Sequence, residues 1–92
     1  MLNLTHHALT RMQQRGIRPE ALEALLDYGR ACHLHSKGRE VVFFDKKARA
    51  RLENERPATA REAARLSRTY AVIGSDGTVI TVGHRYRRLR RD

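Results

Sequence analysis

The sequence predicts an α+β domain in which an antiparallel four-stranded sheet packs against helices, in the order ααββα(α)ββ. Three observations carry that expectation. Two capped, amphipathic helical segments fill residues 5–29. Two extended segments then fold back on themselves at a glycine turn, one around Gly38 and one around Gly77. Between the two hairpins residues 46–55 read as a helix, and a capping-box spacing at Thr59 and Glu62 marks a further short one.

Each element has a local cause. Thr5 caps a first helix that runs to about Gln14, with Ala8, Leu9 and Met12 on its apolar side and Gly16 as its stop. Pro19 opens a second helix. Ile17 and Leu22 are spaced as a hydrophobic staple, Glu20 lies in the first turn, and Leu22, Leu25 and Leu26 form a buried stripe up to Gly29. Residues 31–36 and 39–45 read as a hairpin across Lys37-Gly38, a register that pairs His35 with Glu40 and Leu34 with Val41. Cys32, Leu34, Val41 and Phe43 then share one face, and His33, His35, Val42 and Phe44 the other.

Residues 46–55 form a basic helix closed by Pro57. Thr59 and Glu62 have capping-box spacing for a further short helix that places Arg61, Arg65 and Arg68 on one side. The last hairpin joins Thr69–Gly74 to Val79–His84 through Ser75-Asp76-Gly77-Thr78, where Asp-Gly signals a type I′ turn. It pairs Ile73 with Ile80 and Ala71 with Val82. Residues 85–92 either extend the final strand or form a basic arm.

The chain of 92 residues suits one domain, as a monomer or a homodimer, and its 40% apolar content is enough for a core. No apolar run approaches a membrane span and no secretory segment follows Met1, so a cytoplasmic protein without membrane contact is expected. Cys32 is the single cysteine, which leaves neither an internal disulfide nor a thiol pair for zinc. No cofactor fingerprint, P-loop or nucleophile elbow is present.

Charge is the most informative feature. Nineteen Lys and Arg against ten Asp and Glu give +9, and sixteen of the nineteen are arginine. The guanidinium fork binds phosphate in bidentate fashion and stacks on bases, so nucleic acid is the expected partner, RNA before DNA. His7, Arg11 and Arg15 recur at i, i+4 and i+8 on the first helix, beside its apolar side. An imidazole with two guanidiniums suits metal-independent RNA cleavage, in which a 2′-oxygen attacks the adjacent phosphate. A solvated polar helix face would have the same spacing. At the end of the last strand His84 and Tyr86 project to one face and Arg85 and Arg87 to the other, with Arg88 following. The candidate catalytic set is therefore His7, Arg11, Arg15, His84 and Tyr86, and the candidate nucleic-acid contacts are Arg61, Arg65, Arg68, Arg85, Arg87 and Arg88. His33 and His35 lack a third ligand, so no metal site is assigned.

The opening His7-Ala8-Leu9-Thr10-Arg11-Met12-Gln13-Gln14-Arg15-Gly16-Ile17, with Pro19-Glu20-Ala21-Leu22 after it, resembles a bacterial domain-of-unknown-function family that begins His-Ala, Arg-Met, Arg-Gly-Ile. Asp76–Val82 resembles that family's final hairpin, and the order of elements is similar to the RelE/barnase-like ribonuclease fold. This resemblance implies a small basic ribonuclease of toxin type, working without metal beside an acidic antitoxin-like protein. Within it, His7, Arg11 and Arg15 match the family motif, while His84, Arg85 and Tyr86 match a ribonuclease in kind and position. A noncatalytic adaptor for nucleic acid, the ribosome or an acidic protein is the alternative.

Overall fold

A computed structural model describes residues 3–33, 38–55 and 65–85. The helices are α1 (His6–Arg15), α2 (Pro19–Tyr28) and α3 (Lys46–Glu55). The strands are β1 (Arg30–His33), β2 (Glu40–Phe43), β3 (Thr69–Ile73) and β4 (Val79–His84). All four strands form one antiparallel sheet in the order β1-β2-β3-β4. The α+β class expected from the sequence is the observed one. Among the described residues no helix is long and apolar enough to cross a membrane.

The helix boundaries follow their local signals. Thr5 Oγ1 accepts from the Ala8 amide at 3.0 Å, satisfying one of the free donors of the first turn. Gly16 ends α1 in the left-handed region at φ 65°, and its N–H and that of Ile17 donate to carbonyls of the last turn. Asp45 caps α3 through its carboxylate, which accepts from the Ala48 amide at 2.8 Å. Ala8, Met12, Leu22, Leu25, Ala48 and Leu52 come together with Val42, Phe44, Ala71, Val79 and Val82 in one core. The described helices thus cover a single face of the sheet.

Two registers differ from expectation. His33, not His35, lies opposite Glu40, and Cys32, not Leu34, lies opposite Val41. The centre of this hairpin is therefore shifted from the expected Lys37-Gly38 position, and Leu34 and His35 lie outside the described residues. Because the shift is by two, Cys32, Val41 and Phe43 still share a face. In the second hairpin Ala71 pairs with Val82 as expected, but an irregularity after Val72 sets Ile73 opposite Val79 instead of Ile80. Its turn also differs from type I′. Gly77 N–H donates to Gly74 O, so Ser75 and Asp76 are the central pair, and Gly77 follows at φ 85°. The capping-box pair Thr59 and Glu62, with Arg61, lies outside the described residues. Residues 65–68 form one helical turn that leads into β3.

Candidate nucleic-acid interface

The position of α1 decides which candidate residues meet. Thr5 N–H donates to Val79 O at 3.0 Å, the Val79 amide donates to Asn3 O at 2.8 Å, and Thr5 Oγ1 donates to Ile80 O at 2.7 Å. These bonds pin the first turn of α1 to the start of β4. From there the helix runs beside β4, so that its last turn comes to the strand's far end, where His84 lies.

At that end the sheet places Thr69 opposite His84. Thr69 is buried and its hydroxyl donates to the Arg65 carbonyl at 3.2 Å, while the Arg85 amide donates to the Arg68 carbonyl at 2.8 Å. The first bond closes the 65–68 turn onto the start of β3, and the second holds it against the end of β4. The Arg65 guanidinium lies beside Gly16, with Nη2 3.8 Å from the place a Cβ would occupy. A cation is favourable there, because the C-terminus of α1 carries partial negative charge.

Arg15, Arg65, Arg68 and His84 are thereby gathered from three segments. Burial first, and then the charges of Arg65, Arg15 and Arg68, lower the His84 pKa below the usual histidine range. All three arginines are exposed, and none has a carboxylate partner among the described residues. An exposed cluster of three guanidiniums around a neutral imidazole can bind an anion and accept a proton beside it.

The other candidates take different places. His7 is exposed in the first turn of α1, and eight residues of helix, about 12 Å, separate it from Arg15. His7 and His84 thus stand at opposite ends of α1, and the structure does not bring them together. Arg11 is half-buried between them, and its Nε is closed to solvent with no acceptor among the described residues. Arg85 points to the opposite face from His84, as the strand alternation predicted. Its guanidinium donates to Phe44 O at 2.6 Å and sits 4.9 Å from the centre of the Phe43 ring. Burial and the nearby Arg49 lower its pKa, against the pull of Asp45. Arg85 is therefore engaged within the fold. Tyr86, Arg87 and Arg88 lie outside the described residues.

His33 faces Glu40 at 4.0 Å. Among the described residues no group of three or more His, Cys, Asp or Glu side chains could hold a metal ion. Sequence reasoning had placed Arg65 and Arg68 on a helix apart from the acid–base groups and had not joined them to His84. The missing signal was the order Arg68-Thr69 at the start of β3, which a hairpin pairing Ala71 with Val82 sets opposite His84. Compared with protein-family models, with curated proteins and with solved structures, the chain matches none.

Proposed function

We propose that the chain binds RNA, holding the phosphate backbone on Arg15, Arg65 and Arg68 around His84. The observation that carries this reading is the convergence of three exposed guanidiniums on one imidazole, in a chain of net charge +9. Arginine offers phosphate a planar pair of donors, and a cluster drawn from separate segments fixes the spacing of those donors.

The lowered His84 pKa favours a second step at the same place, metal-independent cleavage of the bound strand. With its pKa lowered, His84 is neutral at pH 7 and able to accept a proton from a 2′-hydroxyl. The 2′-oxygen bonds to phosphorus as the bond to the 5′-oxygen breaks, and the departing 5′-oxygen takes a proton from water. The arginines would stabilise the charge that builds on the phosphate. His7 has no part in this site.

Purified protein and the His84→Gln variant, incubated with end-labelled mixed-sequence RNA and resolved on gels, test both steps. Binding by the two proteins alike, with cleavage by the wild type alone and unaffected by EDTA, is the expected result. Losing a general base costs roughly 10²–10⁴ in rate. Binding without cleavage across about pH 5–8, the range in which histidine titrates, would leave a noncatalytic RNA adaptor. Absence of RNA binding at low salt would overturn the proposal as a whole.

A further inference from the structure

The face of the sheet turned away from the helices carries its own row of side chains at the His84 end. Arg30, Phe43, Tyr70 and Gly83 stand opposite one another across β1, β2, β3 and β4, and the next row is Cys32, Val41, Val72 and Thr81. The buried residues of α1, α2 and α3 gather with Val42, Ala71 and Val82 on the opposite face, so none of these helices covers this row.

The two aromatic rings of the row are held differently. Phe43 is only 4% exposed, and the Arg85 guanidinium lies over its ring at 4.9 Å, fixed by its bond to Phe44 O. Tyr70 is half-buried. The outer end of its ring lies over Gly83, where an added Cβ would stand 3.0 Å from Cε1, 3.0 Å from Oη and 3.1 Å from Cζ. A glycine opposite Tyr70 lets the ring settle against β4, and a partly accessible ring remains beside a stacked guanidinium.

An aromatic ring pinned on a sheet next to arginine planes is how proteins hold unpaired bases, because every base offers a π-face while its phosphates seek cations. The charge around the row fits such a polyanion. Arg30, exposed and paired with Asp45 at 3.4 Å, flanks Phe43, Arg49 is close enough to act on Arg85, and the Arg85 amide is bonded to the backbone carbonyl of Arg68 of the phosphate cluster. The row is therefore continuous with that cluster around the end of β4.

We infer that Tyr70 is a stacking platform for an unpaired base of single-stranded RNA whose backbone lies on Arg15, Arg65 and Arg68. This inference rests on the RNA-binding reading above and adds the strand form that is recognised. A duplex keeps its bases stacked inside and has none to offer Tyr70.

The test is fluorescence anisotropy with labelled single-stranded RNA and with duplex RNA, using wild type, Tyr70→Phe and Tyr70→Leu, with circular dichroism on each protein. Tyr70→Leu keeps an apolar side chain over Gly83 but removes the π-face, and is expected to weaken single-strand binding on the order of tenfold. Its duplex affinity and salt slope should stay at wild-type values, and Tyr70→Phe should bind as wild type. An unchanged single-strand affinity, or an equal loss for both RNAs, would overturn the inference while leaving the phosphate cluster standing. Failure of the wild type to bind either RNA would overturn the underlying reading. Should Tyr70→Leu not fold, NMR of the wild type decides. Upfield shifts of the Tyr70 ring protons on adding single-stranded RNA are expected, and their absence refutes stacking.

Discussion

Replacing Arg15, Arg65 and Arg68 together by glutamine removes the three charges placed around His84 and lowers the net charge of +9 by three. Each arginine that neutralises a single-strand phosphate contributes about 0.7 to the slope of log K against log salt, so the triple variant should lose about 2 from that slope. Between 50 and 200 mM salt this corresponds to about twentyfold, so the wild type should lose about twenty times more affinity than the variant over that range. Anisotropy titrations of single-stranded RNA at several salt concentrations measure it. The control is Arg39, Lys47 and Arg51, all exposed and none of them among the charges that act on His84, replaced in the same way. It removes the same net charge, so any effect of overall charge appears in both variants. A fall in slope of less than about 0.7, one contact's worth, or an equal fall in the control, would refute the assignment of phosphate contacts to this cluster.

Three further outcomes are expected. By NMR titration His84 should have a pKa below the usual histidine value, and Arg65→Gln should raise it. Since the folded pKa is depressed, His84 should favour folding above the ordinary histidine pKa and lose that contribution as pH falls towards its folded pKa, so urea midpoints of His84→Gln should depend less on acidity. Thr5→Val removes both the α1 cap and the bond to Ile80 O, and should cost about 1–3 kcal/mol in urea unfolding. Gly16→Ala should cost about 1–2 kcal/mol through the left-handed backbone alone, since an added Cβ would meet only Arg65 Nη2 at an ordinary 3.8 Å; an unchanged urea midpoint would refute this.

Much of the helical structure was legible because its causes are local. Thr5, Gly16, Pro19 and Gly29 lie within a few residues of the boundaries they set. The strand faces were legible too, since alternation survives a register shift of two, as Cys32, Val41 and Phe43 show. The registers themselves were less so, because the point about which β1 and β2 fold back and the irregularity after Val72 leave no fixed mark in composition. At the site, Arg15, Arg65, Arg68 and His84 were each visible as candidates, but their grouping was not. It depends on the direction in which α1 crosses β4, and hydrogen bonds between Thr5 and residues some 75 positions later set that direction. The same bonds send His7 to the far end from His84. Nothing in the sequence marks the place of Tyr70, and only the register shows that it stands between Phe43 on one side and Gly83 on the other.

The union of Asn3 and Thr5 with Val79 and Ile80 also orders the events of biosynthesis. The sheet is a meander, so β1 with β2 and β3 with β4 are pairings of neighbours that can form early. Docking of α1 cannot, because the backbone that receives it is made some 75 residues after Thr5. Until then Ala8 and Met12, buried in the finished fold, have no β4 to rest on. A nascent chain halted before Val79 would present that helix face to its surroundings, where chaperones and proteases act on exposed apolar surface. Synthesis of β4 is thus the step that gives α1 its seat and, by bringing the end of α1 to His84, assembles the cationic cluster.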